Sequence, residues 1–151
     1  MRKRIHNSMG RNFNKKRTPD LLSKRKRSSL MSKIRSTKTN FEKEFIKELR
    51  KCVKERMRFN VKTIKGKPDI VFPKKKLCVF LDSDFWHGWQ YPRWKHLLKD
   101  DFWRNKIESN RKRDIKTTNF LKNKGWRIIR LREHNINNNI QYSLKKIVDR
   151  L

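Results

Sequence analysis

The sequence predicts an α/β fold in which a β-sheet packs between helices, and three observations predict it. Hydrophobic patterns of helical and strand type follow one another in the order helix, three strands, helix, strand, helix. The segment LCVFL at 77–81 is apolar on both faces, as expected for a central strand that is covered on both sides. The long helical segment that precedes the last strand stops before Gly125, in the C′ position that glycine favours.

The first half of the predicted fold contains one helix and three strands. A helix over 40–55 follows from apolar residues at helical spacing, and a looser alternation predicts a strand over 58–64. The sequence Lys-Gly-Lys-Pro then breaks the chain before a short strand at 69–72, and 77–81 follows as the central strand. The apolar residues of the helix are Phe41, Phe45, Ile46, Leu49, Cys52 and Val53.

The second half begins with a predicted loop over 83–100 that is dense in Trp, Tyr, Pro and His. A long helix over 101–124, a strand over 126–131 and a final helix over 137–150 complete the predicted sandwich. No internal repeat is present, so we expect a single globular unit.

The charge of the chain predicts a polyanionic partner. Its 151 residues include 44 Lys and Arg against 14 Asp and Glu, a net charge of +30 that repels itself unless an anion compensates it. Fourteen of the basic residues and one acid fall within 1–38, which we predict to be a nucleic-acid-binding arm ahead of a domain at 39–151. We expect DNA as the partner, with RNA as the alternative. The arm residues chosen as phosphate contacts are Arg11, Lys15, Lys16, Arg17, Lys24, Arg25, Lys26 and Arg27.

The sequence favours an intracellular protein. No stretch approaches the ~20 consecutive apolar residues of a membrane helix, and no apolar run of the secretory type is present. Cys52 and Cys78 stand alone, without the paired spacing of a zinc knuckle or a disulfide framework. We therefore expect the cytoplasm or nucleoid, or an organelle matrix, and no membrane partner.

Two helical carboxylates are predicted to point inward. Glu42 shares the apolar face of the first helix, and Asp114 lies seven residues from both Ile107 and Leu121 on the long helix. Buried charges need partners. Each acid is therefore either part of a catalytic site or paired with one of the many arginines.

Further acids stand where strands end. Asp69 begins one strand, and Asp82 ends the central strand. Carboxylates at adjacent strand ends can converge on a hard cation such as Mg²⁺. His87 follows, and a histidine beside a metal carboxylate can take a proton from an attacking water. Packing among aromatic neighbours is the other interpretation of His87.

These residues belong to a longer pattern. The spacing PD-x12-D is similar to the core of the PD-(D/E)xK nucleases. The strings MSKIRSTKTNFEKEF, KGKPDIVFPKKKLCVFLDSDFWHG, FWRNKIESNRKRD and GWRIIRLREH resemble very short patch repair (Vsr) endonucleases and the related EDxHD homing endonucleases. The resemblance implies a restriction-endonuclease-like mixed sheet flanked by helices. Its four motif letters fall on Glu42, Asp69, His87 and Asp114.

The resemblance also implies roles for these residues. Asp69 is expected to be the main Mg²⁺ ligand, assisted by the backbone carbonyl of Leu81, while His87 activates water. Glu42 and Asp114 hold waters around the ion or orient His87. Asp82, which shares the strand-end position, completes the predicted metal set of Asp69, Leu81 and Asp82.

Two further features of the family concern aromatic side chains and zinc. Family members insert aromatic rings between base pairs, at positions that match Phe85, Trp86 and Trp103 here. Trp103 fits a core position equally well, because it lies on the inward stripe of its helix. Many members also carry a structural zinc; this chain has Asp84, Trp89 and His134 at those places. Because matching ligands are missing, we expect no zinc.

The sequence therefore predicts a Mg²⁺-dependent DNA endonuclease, either a mismatch-repair nickase or a homing endonuclease. The alternative is a nuclease fold that has lost catalysis and acts as a structural RNA or DNA binder in a large ribonucleoprotein such as a ribosome. The high charge favours the binder. The four inward motif residues favour the enzyme, because a binder has no need of acids close to phosphates.

Overall fold

A computed structural model describes residues 41–98 and 101–151, together with the single positions Arg25 and Ser29. A first helix, α1, is described over 41–52. It is followed by strands β1 (Arg58–Phe59), β2 (Ile70–Phe72) and β3 (Leu77–Asp82), with a 3₁₀ turn at Pro73–Lys75. Next come the short helix α2 (Tyr91–Trp94), a 3₁₀ turn at Lys95–Leu97 and the long helix α3 (Asp101–Asn123). Strand β4 (Arg127–Arg132) and helices α4 (Glu133–Asn138) and α5 (Ile140–Val148) end the chain.

The sheet is mixed, with strand order β1-β2-β3-β4. The pairs β1–β2 and β2–β3 are antiparallel, whereas β3 and β4 are parallel and are joined through α3. In the parallel pair Phe80 lies opposite Arg130 and Asp82 lies opposite Arg132. The carboxyl ends of β3 and β4 therefore meet at one edge of the sheet, where the loop after β3 and the start of α4 also lie.

The two faces of the sheet pack against different helices. Leu77, Val79 and Leu81 of β3 belong to the larger core cluster, with apolar residues of α1 and α5. Cys78 and Phe80 belong to a smaller cluster with Leu121 of α3. All six residues of β3 are buried, which confirms the predicted doubly covered central strand. The molecule is thus the predicted α/β sandwich, with a mixed sheet flanked by helices.

Several predicted elements differ in detail. The strand predicted over 58–64 is only two residues long, because Asn60 adopts a left-handed conformation (φ 49°) that interrupts regular pairing. The predicted loop over 83–100 contains α2, whose first turn carries Pro92. The final helix predicted over 137–150 is broken at Asn139, whose side chain accepts a hydrogen bond from the Tyr142 N–H and caps α5.

The long helix agrees with its prediction. It was expected over 101–124 and spans Asp101–Asn123, and Gly125 has the left-handed conformation (φ 77°) of a C′ residue. The first helix, predicted over 40–55, ends at residue 52, three residues before its predicted end. Within 41–98 and 101–151, no helix is long and apolar enough to cross a membrane.

Candidate active site

Three of the four predicted catalytic residues share one cleft. Asp69, His87 and Asp114 line a cavity of about 470 Å³ at the edge of the sheet where β3 ends. Glu42 lies half-buried on α1 and is not among the described residues that line it. The remaining lining residues are Gly66, Lys67, Phe80, Leu81, Asp82, Arg113, Thr117 and Arg130.

Asp69 is held between the start of β2 and strand β3. Its Oδ2 accepts a hydrogen bond of 2.7 Å from the backbone N–H of Leu81. Pro68 lacks an N–H, so the β2–β3 ladder cannot continue opposite Leu81, and its last pair is Ile70 with Val79. Because the N–H and C=O of a paired strand residue leave the strand on the same side, the Leu81 carbonyl also faces the side of Asp69.

His87 is oriented by Asp114. Its Nδ1 lies 2.6 Å from Oδ2 of Asp114, and its backbone N–H donates to the Ser83 carbonyl at 3.1 Å. A neutral imidazole that donates Nδ1–H to a carboxylate carries its free lone pair on Nε2. The next residue, Gly88, has φ 61°, and a Cβ there would lie 2.9 Å from atoms of Arg111 and Ile107. The turn that places His87 beside α3 therefore requires glycine at 88.

Arg130 connects the acids of the cleft and was not identified from the sequence. Its Nε and Nη2 each donate to an Asp82 carboxylate oxygen at 2.7 Å, and Nη2 also lies 3.1 Å from Asp114 Oδ1. The guanidinium stacks over the Phe80 ring at 4.7 Å. The alternation of side chains along β4 could have indicated this residue, because every second residue of that strand faces α3, which carries Asp114.

Asp82 forms an ion pair with Arg130 that the sequence did not predict, and its role as a metal ligand stays a prediction. We expected it to bind metal with Asp69 and Leu81, but both of its oxygens accept hydrogen bonds from Arg130 and it is 3% exposed. A metal ion at Asp82 would have to compete with this bidentate ion pair. Asp82 therefore acts in the structure as the anchor of Arg130.

The charges of the cluster stabilise one another. Burial raises the pKa of Asp114, but the hydrogen bond and charge of His87, followed by the charges of Arg130 and Arg113, outweigh burial and leave that pKa below its ordinary value. Burial lowers the pKa of Arg130, but the hydrogen bond and charge of Asp82, with those of Asp114, raise it overall. Asp114 thus forms a salt bridge with Arg130, as one interpretation of its inward position predicted, and also contacts His87; its catalytic role stays a prediction.

Sequence comparisons identify relatives of this chain. A sequence model of the family described as DNA mismatch endonuclease Vsr matches residues 19–93. The chain is 40% identical over 111 residues to the Type II nicking enzyme V.XorIIP of Xanthomonas oryzae pv. oryzae, covering 72% of this chain and 80% of that protein. The chain belongs to the Vsr endonuclease family.

Two further relatives match shorter stretches. The Type II nicking enzyme V.NmeDIP of Neisseria meningitidis serogroup C is 38% identical over 94 residues, which is 61% of this chain and 64% of that protein. The Type II nicking enzyme V.HpaIIP of Haemophilus parainfluenzae is 40% identical over 77 residues, or 50% of this chain and 55% of that protein. Membership of the Vsr family confirms the predicted restriction-endonuclease-like fold and the predicted enzyme class, endonuclease.

The segment that matches the Vsr model includes Glu42, Asp69 and His87 and ends before Asp114. It begins within the predicted arm at 1–38, so the second half of the arm is part of the Vsr-like sequence. Of the eight arm residues chosen as phosphate contacts, Arg25 is helical and exposed. Arg11, Lys15, Lys16, Arg17, Lys24, Lys26 and Arg27 lie outside the described residues.

The predicted aromatic wedge forms a cluster beside the Vsr site. Phe85 contacts both Trp86 and Trp103, with ring centroids 5.0 and 5.9 Å apart, and stacks on Trp94 at 5.9 Å. Phe85 and Trp86 are half-buried, whereas Trp103 is only 7% exposed. Phe85 and Trp86 are therefore partly exposed at the surface, while Trp103 packs against Phe85 and Trp86 from below.

Asp84, Trp89 and His134, the residues at the positions considered for zinc, form a set of direct contacts. Asp84 Oδ1 lies 2.7 Å from His134 Nδ1, and Asp84 Oδ2 accepts from the His134 backbone N–H at 3.1 Å. The Trp89 ring packs on the His134 ring at 4.2 Å. These contacts join the loop after β3 to α4. The absence of zinc itself stays a prediction.

A stability measurement tests the role of Asp114. Asn at position 114 keeps a hydrogen-bonding oxygen but loses the charge that pairs with His87 and Arg130, so we expect Asp114→Asn to lower the free energy of unfolding at neutral pH by about 1–3 kcal/mol. Because folding lowers the pKa of Asp114, its contribution is complete above the ordinary value of 3.8 and is lost as pH falls through the lowered value.

Urea unfolding at neutral pH and at about pH 3 measures this effect. The difference between wild type and Asp114→Asn should shrink at the acidic pH, while Asp149→Asn, at a side chain that is 55% exposed, should change little at either pH. If Asp114→Asn lowered the free energy of unfolding by the same amount at both pH values, a charge-based role of Asp114 would be contradicted.

Proposed function

We propose that this protein is a Mg²⁺-dependent DNA endonuclease that nicks one strand, with His87 as the general base and Asp69 as the metal-binding carboxylate. The observation that carries the proposal is the single cleft lined by Asp69, His87 and Asp114, in which a carboxylate and an oriented histidine face the same space. The relatives are named as nicking enzymes and the family as a mismatch endonuclease, which supports a nick at a mismatch over a homing function.

The donor atoms at Asp69 suit Mg²⁺. The ion prefers hard oxygen ligands and usually keeps several waters, so one or two carboxylates suffice to hold it. Asp69 supplies a carboxylate, the Leu81 carbonyl supplies a second oxygen, and the cleft of about 470 Å³ leaves room for waters. Among the described residues no group of three or more His, Cys, Asp or Glu side chains could hold a metal ion, so the proposed site relies on Asp69 and the Leu81 carbonyl. When bound, the cation stabilises negative charge on the phosphate and its leaving oxygen.

The protein's own groups supply the proton transfer. Asp114 holds Nδ1 of His87, which leaves Nε2 available to accept a proton from a water that attacks the phosphorus. As that proton arrives, the imidazole becomes positive, and the carboxylate of Asp114 at 2.6 Å stabilises the charge. Arg130 contacts Oδ1 of Asp114, the oxygen that does not contact His87, and so holds the carboxylate in its orientation toward His87.

The surroundings of the cleft provide binding. We propose that the arm at 1–38 contacts phosphates along the duplex, because its charge supplies affinity that does not depend on sequence. Phe85 and Trp86 are proposed to insert beside a base step that a mismatch has weakened. Trp103 supports these rings, and Glu42, half-buried on α1, is proposed to hold water near the cation.

The proposal is tested with supercoiled plasmid DNA that contains mismatched base pairs. We expect conversion to the nicked circular form in the presence of Mg²⁺ and none after chelation with EDTA, with return of activity when Mg²⁺ is added back. Nicking that persists in EDTA would overturn the metal requirement. A protein that binds the plasmid and never cleaves it would instead support the structural binder.

A further inference from the structure

A second pocket adjoins the catalytic cleft. It has a volume of about 310 Å³ and shares four side chains with the cleft, namely Asp82, His87, Asp114 and Arg130. The rest of its wall comes from α3 and from the end of β4. We call it the arginine pocket, and its other lining residues are Arg111, Ile115, Thr118, Asn119 and Arg132.

Two of its arginines carry charge that no acid of the described chain neutralises. Arg130 is balanced by Asp82 and Asp114, but Arg111 donates from Nη1 only to the neutral carbonyl of Gly88, at 2.6 Å. Arg132 forms no ion pair with any residue that the structure describes, and its Nη1 is buried without a hydrogen-bond partner. A charged donor that is buried without an acceptor is unfavourable, so this arrangement points to an anionic ligand.

The remaining wall fits a phosphate group. Thr118 and Asn119 offer a hydroxyl and an amide as neutral donors, and the planar guanidinium of arginine matches the oxygens of phosphate. Three arginines against two aspartates leave an excess of positive charge in the pocket. Since the pocket and the cleft are separated only by the His87–Asp114 pair and its neighbours, one DNA strand can reach both.

We propose that the arginine pocket binds a backbone phosphate of the same DNA strand, next to the phosphate in the catalytic cleft, through Arg111 and Arg132. This assignment rests on the proposed function, in that DNA is the substrate. It adds a positioning contact: a neighbouring phosphate held by α3 and β4 fixes the strand relative to His87, which α3 also orients through Asp114.

The test measures the salt dependence of DNA binding. A fluorescein-labelled DNA duplex is titrated with protein in EDTA at several salt concentrations, and log K is plotted against log[salt] for wild type and Arg132→Met. Loss of one phosphate contact should reduce the slope by about one. Arg127→Met is the matched control, because Arg127 lies at the opposite end of β4 and donates to the Lys75 carbonyl. Its slope should equal that of wild type.

Each outcome decides the assignment. An unchanged slope for Arg132→Met, or an equal fall for Arg127→Met, would overturn it. Calorimetric titration with inorganic phosphate distinguishes a DNA phosphate from a free anion as the ligand. If the binding heat of wild type disappears in Arg132→Met while the slope for DNA is unchanged, the pocket binds a free anion and the assignment to DNA is overturned. Arg111→Met, measured in the same way, replaces Arg132→Met if circular dichroism shows that the latter does not fold.

The binding assay is independent of cleavage. Because EDTA prevents hydrolysis, a protein that fails to nick plasmid but loses one unit of slope in Arg132→Met still supports the pocket. A protein that nicks normally and shows no change of slope refutes the pocket and leaves the proposed function intact.

Discussion

Asp69→Asn should abolish nicking without weakening DNA binding. Asparagine retains an oxygen that can accept the Leu81 N–H, so the junction of β2 and β3 keeps its hydrogen bond while the negative charge is lost. Without that charge a hydrated cation is held poorly. We expect the cleavage rate to fall about 10³-fold, since stabilisation of the transition-state charge by the metal is worth several kcal/mol.

The measurement is the rate of plasmid nicking in Mg²⁺, alongside the dissociation constant for a labelled duplex in EDTA. Asp149→Asn is the matched control, because it removes the same charge from a carboxylate that is 55% exposed on the surface. We expect Asp149→Asn to nick as wild type does. If Asp69→Asn nicked at the wild-type rate, Asp69 would not be the metal ligand.

His87→Ala should lower the cleavage rate by about 10²–10⁴-fold, the range associated with a general base. Nδ1 of the side chain lies 2.6 Å from Asp114 and the residue lines the cleft, so its removal deletes the proposed proton acceptor and leaves the proposed metal ligand in place. DNA affinity should be unchanged, because the phosphate-binding groups remain.

Chemical rescue separates catalysis from structure. Added imidazole should restore part of the nicking activity of His87→Ala, because the truncated side chain leaves a space into which a free base fits. His96→Ala, at an exposed histidine of the 3₁₀ turn after α2, should behave as wild type. If His87→Ala lost both DNA binding and nicking, and imidazole restored neither, His87 would mainly support the fold.

Hydrophobic spacing predicted most of the fold, because burial of apolar surface decides which helices and strands form. The central strand at 77–81 and the helix at 101–124 agree with the structure to within one or two residues. The predictions failed where local geometry overrides the pattern. Asn60 ends a strand by its left-handed conformation, and Asn139 divides the last helix by capping its second part.

The candidate site was predicted less completely than the fold. Helical phase and strand ends indicated Asp69, His87 and Asp114, which the structure brings to one cleft. The same reasoning assigned Asp82 to the metal and missed Arg130, since a choice of partner depends on which strands are neighbours and in what register. Only the pairing of β3 with β4, with Phe80 opposite Arg130, places the guanidinium within reach of Asp82.

The sequence by itself determined the α/β class, the basic character that calls for a polyanion, and the motif order that leads to the Vsr family. The first two follow from composition and from periods of two and 3.6 residues, which are local, whereas the family follows from the resemblance of the motif strings. The tertiary structure alone decided which charges meet: Asp82 with Arg130, Asp84 with His134, and Arg132 with no acid of the described chain. Ion pairing acts over a few ångströms between residues distant in sequence, so only the folded chain settles it.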